Sequence, residues 1–110
     1  MAERFGGYRV SRYRVYIAPQ ALREIKDLPG HMRQRIKHAI DGLEDDPHPS
    51  ESEELEAPSD IEASVFRLRL DKWRVVYTIT EADNTIDVLA VRKRPPYDYG
   101  DLEQLLADIE

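Results

Sequence analysis

The sequence predicts a small α+β domain in which an N-terminal helical hairpin packs on one face of a small, mostly antiparallel sheet. The chain has 110 residues, which is enough for one hydrophobic core and too few for two. Apolar residues recur at helical spacing over residues 19–43, whereas apolar and polar residues alternate over residues 65–91. The predicted element order is therefore β-α-α-β-β-β-α.

The N-terminal half begins with a predicted strand. Tyr13, Val15 and Ile17 alternate with Arg14 and Tyr16, which is typical of a half-buried strand. The residues before it, 1–11, are predicted to form a flexible tail. A single domain is then expected to span residues 12–110.

Two helices are predicted after this strand. Pro19 suits the first turn of a helix, and Pro29-Gly30 ends that helix after the apolar stripe Ala21, Ile25 and Leu28. A second helix is predicted before Asp45-Asp46-Pro47, on the stripe formed by Met32, Ile36, Ala39, Ile40 and Leu43. The two helices form an αα-hairpin whose apolar stripes need a sheet to pack on.

The C-terminal half is predicted to form a three-stranded antiparallel meander. Residues 65–70 and 73–80 are strand-like and meet at a tight turn, Asp71-Lys72, and residues 85–91 supply the third strand. The stretch 47–54 is rich in proline and acids, which predicts an exposed loop. After Pro95-Pro96 a last amphipathic helix is predicted, with Asp101 as its cap and the stripe Leu102, Leu105, Leu106 and Ile109. The sheet face away from the helical hairpin is expected to be open.

Composition excludes several kinds of site. The chain has no cysteine, so it has no disulfide, no thiolate nucleophile and no thiolate zinc site. Its histidines, His31, His38 and His48, lack the spacing of a metal site, and neither a metal nor a cofactor is predicted. No apolar run approaches the roughly 20 residues of a membrane span, and residues 1–7 lack the apolar core of a secretion signal. A cytoplasmic protein with no membrane partner is expected.

Charge is distributed unevenly along the chain. The formal net charge of −6 at pH 7 by itself argues against a nucleic-acid partner. However, residues 41–62 hold ten acids and no Lys or Arg, whereas residues 63–94 hold seven bases and four acids. The average therefore conceals a basic sheet and an acidic loop.

Arginines occupy most polar positions on the predicted C-terminal strands. Because side chains alternate across a strand, Arg67 and Arg69 share the face opposite the apolar residues of their strand. A hairpin at residues 71–72 brings Arg74 close to Arg69. The meander then returns the end of the third strand to the same neighbourhood, with Arg92, Lys93 and Arg94.

Two interpretations of these arginines are open: the solvated face of a half-exposed sheet, or an anion site. The near absence of the usual mixture of Glu, Thr and Lys favours an anion site. Arginine also suits planar, bidentate contacts to phosphate. Tyr97 and Tyr99 lie just beyond the last arginine, where they either stack on a base or pack on the last helix. The sequence therefore predicts an anion site with phosphate as the preferred ligand.

Several segments, in this order, resemble the RelE/ParE toxins of bacterial type II toxin–antitoxin modules. They are Tyr13 to Ile17, Ala21-Leu22-Arg23-Glu24-Ile25 with Leu28-Pro29, Val65-Phe66-Arg67-Leu68-Arg69-Leu70, Trp73-Arg74-Val75-Val76-Tyr77, and Val91-Arg92-Lys93-Arg94 with tyrosine close behind. The resemblance covers about residues 12–99. It implies a RelE-like fold and a compact toxin that binds a small cognate antitoxin.

In the RelE branch, the resemblance implies an endoribonuclease, or mRNA interferase, that inhibits translation by cleaving mRNA in the ribosomal A site. The RNA's own 2′-hydroxyl attacks the adjacent phosphate, so the protein supplies charge stabilisation and proton transfer. By position in the motifs, the catalytic candidates are Arg74, Arg94, Tyr97 and Tyr99, where either tyrosine matches the C-terminal one of the family. The phosphate- and RNA-binding candidates are Arg67, Arg69, Lys72, Arg92 and Lys93.

The sequence departs from the RelE pattern in two respects. Arg67 and Arg69 stand where lysine is common, and arginine stays protonated, so only Tyr97, Tyr99 or a lysine (Lys72, Lys93) could act as a base. Acidic residues 51–56 also replace lysines that grip ribosomal RNA, which weakens binding to phosphate.

Three functions therefore stay open. The first is ribosome-dependent mRNA cleavage, with the ribosome and mRNA as partners. The second is ParE-type, non-enzymatic inhibition of DNA gyrase. The third is an attenuated module that only binds its antitoxin.

Overall fold

The structure, a computed structural model, describes residues 12–56 and 62–107. The predicted tail at residues 1–11 lies outside the described residues. The elements are β1 (Arg14–Ile17), α1 (Pro19–Lys26), α2 (Gly30–Gly42), β2 (Ser52–Leu55), β3 (Ser64–Leu70), β4 (Trp73–Thr80), a 3-10 turn (Glu81–Asp83), β5 (Thr85–Lys93) and α3 (Leu102–Ala107). The described strands form one sheet in the order β1-β5-β4-β3-β2.

The predicted α+β fold class is confirmed. Helices α1 and α2 bury their apolar stripes, centred on Ile25 and Ile36, against one side of the sheet, here called the first face. Strands β3, β4 and β5 form the predicted antiparallel meander. At the β3–β4 hairpin Leu70 pairs with Trp73, and Asp71 adopts a left-handed φ of 58°, which a short polar residue tolerates well.

Strand β1 lies at one edge of the sheet and runs parallel to β5. Its register ends where Ile17 pairs with Val88. The following residue, Ala18, donates its N–H to the Val88 carbonyl at 2.9 Å as the chain turns into α1. The last part of β5 therefore extends beyond β1, and its outer edge needs other hydrogen-bond partners.

The opposite edge is formed by β2, which corrects the prediction of an exposed loop over residues 47–54. Ser52 to Leu55 pair antiparallel with β3, and the Arg69 N–H donates to the Glu51 carbonyl at 3.2 Å. The Tyr77 hydroxyl also donates to the Pro47 carbonyl at 2.8 Å, which fixes the preceding loop against the sheet. The prediction failed because the segment is acidic, which is typical of an exposed loop. An edge strand can also keep charged side chains in water.

The second face of the sheet is covered, which corrects the expectation of an open face. Leu105 and Leu106 of α3 pack against Val65 and Val76, and Leu55, Tyr97, Tyr99 and Leu102 surround this second core cluster. The last helix was predicted from its apolar stripe, but its docking side was not. Residues at the hairpin end of β3 and β4, Arg69 among them, lie beyond this cover.

A β-bulge in β5 changes which of its residues face each side. Val76 pairs with Ala90 and the next residue, Tyr77, pairs with Val88, so Leu89 is the extra residue. Leu89 and Ala90 both belong to the second-face cluster, whereas Val88 and Val91 belong to the first. The bulge therefore places Arg92 on the second face.

Candidate phosphate-binding site

Three arginines form a row across the second face. Arg69 of β3 pairs with Arg74 of β4, and Arg74 pairs in turn with Arg92 of β5. Residues paired across a sheet place their side chains on the same face. The predicted approach of Arg69, Arg74 and Arg92 is thus present in the backbone register.

Each of the first two arginines of this row has a different environment. The Arg74 guanidinium bends back to the hairpin, where Nη1 donates to the carbonyls of Asp71 and Trp73, both at 3.0 Å. Its Nε is buried without a hydrogen-bond partner in residues 12–56 and 62–107. Arg69 is exposed, and no described carboxylate pairs with it. Arg69 therefore leaves its donors available for an anion, and beside it Arg74 has one donor, the buried Nε, that is unsatisfied.

Arg67 lies two residues further from the hairpin than Arg69 and is already partnered. It pairs with Glu53 of β2 in the strand register, and its Nη2 forms an ion pair with Glu53 Oε1. The Arg67 side chain is 19% exposed and that of Glu53 is 64% exposed. Part of the acidic segment therefore neutralises one of the predicted RNA-binding residues.

Arg92 is held by two carboxylates. Its Nε forms an ion pair with Glu24 Oε2 of α1, and its Nη1 donates to Asp101 Oδ2 at 2.9 Å. Burial alone would lower the pKa of Arg92, but the hydrogen bonds and charges of Asp101 and Glu24 outweigh it and raise the pKa. Arg92 therefore lies beside Arg74, but its donors are taken by the protein.

Tyr97 belongs to the same network. Its hydroxyl donates to Asp101 Oδ1 at 2.8 Å, and the Arg92 guanidinium lies 5.0 Å from its ring centroid. Burial and the hydrogen bond to Asp101 raise the pKa of Tyr97 well above that of a free tyrosine. Tyr97 is therefore poorly suited to accept a proton at neutral pH.

Tyr99 and Arg94 form a cation–π contact like that between Tyr97 and Arg92. The Arg94 guanidinium lies 5.2 Å from the Tyr99 ring centroid, and the Tyr99 ring meets Tyr97 edge to face at 4.9 Å. Tyr99 has a φ of 65°, and its hydroxyl is buried with no partner in the described part of the chain. Both tyrosines pack on the second-face cluster, as one of the two sequence interpretations expected.

The two lysines lie at different places. Lys72 is exposed in the β3–β4 turn, and its carbonyl accepts the Arg94 N–H at 2.8 Å, so the turn adjoins the end of β5. Lys93 pairs with Trp73, whose side chain packs on the first-face core. The structure therefore brings Lys72 near Arg74 and Arg94, while Lys93 points to the other side of the sheet.

Glu24 and Asp101 are site residues that the sequence did not indicate as partners of Arg92. Glu24 is 68 residues away from Arg92 in the chain, and no local pattern links them. Asp101 was expected only to cap the last helix. One signal in the sequence could have suggested an ion pair. Asp101 follows the three bases Arg92, Lys93 and Arg94 by fewer than ten residues.

The comparisons with known proteins decide the family. The family model described as the ParE toxin of the type II toxin–antitoxin system, parDE, matches residues 15–95. The chain belongs to this ParE toxin family. It is the toxin component of a type II toxin–antitoxin system, and the resemblance found in the sequence is confirmed.

Relatives of this ParE-family toxin include proteins named RelE. The chain is 28% identical over 83 residues to a protein of Methanocaldococcus jannaschii named as toxin RelE1, covering 76% of this chain and 91% of that one. The archaeal RelE–RelB complex of Pyrococcus horikoshii OT3 matches with 30% identity and a TM-score of 0.68, covering 78% of this chain and 99% of that one. The complex RelBE2 of Mycobacterium tuberculosis, at 21% identity and a TM-score of 0.62, covers 77% of this chain and 100% of that one and shares the fold.

Among the described residues of this toxin, no helix is long and apolar enough to cross a membrane.

Proposed function

We propose that this toxin inhibits translation by cleaving mRNA on the ribosome, with Arg69, Arg74 and Arg94 as the phosphate-binding residues. The observation that carries the proposal is the Arg69–Arg74 pair at the hairpin end of the second face, where Arg69 is exposed and the Arg74 Nε lacks a partner among the described residues. Arg94 follows β5 at the same end, because its N–H donates to the carbonyl of Lys72 in the hairpin turn. Guanidinium groups converging from three segments suit the tetrahedral charge of a phosphate.

The chemistry proposed is transfer of the phosphoryl group within the RNA. The 2′-oxygen forms a bond to phosphorus, and the bond from phosphorus to the 5′-oxygen of the next nucleotide breaks. The 2′-hydroxyl loses its proton to solvent and the leaving 5′-oxygen gains one. The three guanidinium groups would stabilise the negative charge that builds up on the phosphate in the transition state.

Proton donation to the leaving oxygen is assigned to Lys72. Tyr97 already donates its hydroxyl proton to Asp101, and the Tyr99 hydroxyl is buried. Lys72 is exposed in the turn between Arg69 and Arg74, and its ammonium group has three protons to donate. Tyr99 then serves as the platform on which the Arg94 guanidinium rests.

We also infer that a protein antitoxin neutralises this toxin. The Pyrococcus relative is described as a RelE–RelB complex, and its chain is covered almost completely by the match. The exposed Arg69 and Arg94 offer sites for acidic side chains of such a partner. Its gene is expected beside the toxin gene, and co-expression is expected to restore growth.

The function is tested by expressing the wild-type toxin in cells and in a reconstituted translation system. The expected result is growth arrest and new mRNA ends that appear only when ribosomes are present. Arg74→Ala and Arg94→Ala should reduce cleavage at least about 100-fold, because each removes charge stabilisation in the transition state. Arg35→Ala on the exposed side of α2 is the matched control and should cleave normally.

Two results would contradict the proposal. Unchanged cleavage by both Arg74→Ala and Arg94→Ala would remove the site assignment. Intact mRNA together with inhibited DNA gyrase supercoiling would replace RNA by gyrase as the target.

A further inference from the structure

We propose that Glu24 and Asp101 turn Arg92 into a clamp that holds residues 97–101 against the sheet and so positions the Arg94 guanidinium for phosphate. This inference rests on the proposed function, since Arg94 is the residue that it positions. It assigns Arg92, Glu24 and Asp101 a positioning role, in place of the phosphate contact that the sequence suggested for Arg92.

The clamp begins at the uncovered edge of β5. Because β1 ends opposite Val88, the Val91 N–H faces α1 instead of a strand. Glu24 Oε1 accepts this N–H at 2.8 Å, and Glu24 Oε2 pairs with the neighbouring Arg92. One carboxylate thus replaces a missing strand and fixes the orientation of Arg92. A buried N–H left without this acceptor would be costly, so Glu24 is firmly placed.

The clamp continues from Arg92 to the segment before α3. Asp101 accepts from the Arg92 guanidinium with Oδ2 and from the Tyr97 hydroxyl with Oδ1. Both oxygens are therefore used, and the Arg92 guanidinium also lies against the Tyr97 ring. These contacts join β5 to both ends of the segment 97–101.

The last step leads from this segment to Arg94. The Tyr97 ring contacts the Tyr99 ring at 4.9 Å, and the Tyr99 ring carries the Arg94 guanidinium at 5.2 Å. Arg94 is exposed and has no described carboxylate partner, so Tyr99 is the contact that limits its orientation. Moving Tyr97 would therefore release Tyr99 and, with it, Arg94.

Burial and charge distinguish this role from a phosphate contact. The Arg92 side chain is 22% exposed and already faces two carboxylates, whose side chains are 23% and 32% exposed. A phosphate would have to displace one of these negative groups and then lie near the other. That repulsion makes Arg92 a poor phosphate ligand compared with Arg69.

The decisive variant is Asp101→Asn, because the two roles predict opposite effects. The amide has no negative charge, so its one oxygen can offer Arg92 only a weaker, neutral acceptor, and its NH₂ group then faces the Tyr97 hydroxyl, which can no longer donate there. If Arg92 acts as a clamp, kcat for ribosome-dependent cleavage should fall about 10-fold or more, with KM nearly unchanged, since a displaced catalytic group slows the chemical step. If Arg92 instead binds RNA, freeing it from Asp101 should tighten RNA binding and leave kcat intact.

A second measurement tests the clamp independently of activity. Amide hydrogen exchange of residues 97–107 should be faster in Asp101→Asn and Arg92→Gln than in the wild type, and Arg92→Lys should recover part of the loss. Glu103→Gln, an exposed acid two residues from Asp101, is the matched control and should leave both exchange and cleavage unchanged.

The outcomes separate the two proposals. Faster exchange without any cleavage by the wild type would keep the clamp as a structural device and reject mRNA cleavage. Unchanged exchange in Asp101→Asn, or tighter RNA binding with normal kcat, would overturn the clamp.

Discussion

Arg69 and Arg74 lie directly opposite each other across β3 and β4, with both side chains on the second face. The Arg69 N–H points away from β4 and donates to Glu51 of β2, so Arg69 and Arg74 form a non-hydrogen-bonded pair. Side chains approach most closely in such pairs, and like charges placed there are destabilising. The arrangement thus costs stability unless an anion binds.

Arg69→Thr should therefore stabilise the free toxin while weakening its binding to RNA. Threonine suits a strand and removes the repulsion, so the free energy of unfolding should rise by about 0.2–1 kcal/mol. Urea denaturation and RNA binding at several salt concentrations would check both effects. A loss of stability would mean that the two guanidinium groups do not repel each other. Arg14→Thr, at an exposed arginine of strand β1, serves as the control.

Glu53→Gln should strengthen RNA binding. The change removes the carboxylate that pairs with Arg67, so the net charge of this surface becomes more positive by one unit. Since phosphate contacts dominate nucleic-acid affinity, the affinity should rise several-fold and its dependence on salt should become steeper. Glu54→Gln, on the neighbouring position of β2 and the other side of the strand, controls for net charge. Equal effects of the two variants would show that Arg67 is not the residue released.

Tyr77→Phe should lower the free energy of unfolding by about 1 kcal/mol, the net contribution of one hydrogen bond. The loss should be larger if no water replaces the hydroxyl as the donor to the Pro47 carbonyl. The Tyr77 ring is fully buried and stacks on Phe66, so phenylalanine keeps the packing. Burial raises the pKa of Tyr77 to about 12, so the hydroxyl stays protonated and donating. Thermal unfolding with faster amide exchange in residues 47–51 would report the loss. No change in either would show that the loop is fixed by other contacts.

Asp87→Asn should stabilise the protein at pH 7. Burial raises the pKa of Asp87, which means that the folded state binds a proton more tightly than the unfolded state. Wild-type stability should then increase as the pH falls through the folded pKa towards about 4, the unfolded value of aspartate. The advantage of Asp87→Asn should shrink over the same range. Chemical unfolding of both proteins from pH 7 to pH 4 tests this, and a constant difference would contradict it.

The sequence predicted most of the helices and strands because their apolar residues are periodic. It placed the β3–β4 turn correctly and hence the approach of Arg69 to Arg74. It missed β2, because Ser52 to Leu55 carry charges that an edge strand keeps in water. It also could not indicate that Leu89 is an extra residue in β5, since a continuous apolar run carries no alternation.

The site was harder to predict, because its contacts join distant parts of the chain. Arg92 looked equivalent to Arg94 in the sequence, and only the fold shows that Glu24 of α1 reaches it. Tyr97 and Tyr99 are two residues apart, yet their hydroxyls have different environments. All the assignments to RNA binding and catalysis stay predictions: Arg67, Arg69, Lys72, Arg74, Arg92, Lys93, Arg94, Tyr97 and Tyr99.

The acidic edge strand β2 also bears on how copies of the toxin meet one another. Among the described strands β2 has a neighbour on one side only. Such an edge offers unpaired backbone groups to any extended segment, including the same edge of a second copy. Two β2 edges placed side by side would bring Glu53 and Glu54 of each copy close together, and their repulsion opposes the pairing. A strand with basic side chains would not meet this repulsion, so the charges of β2 oppose pairing between two copies of the toxin more than pairing with a basic segment.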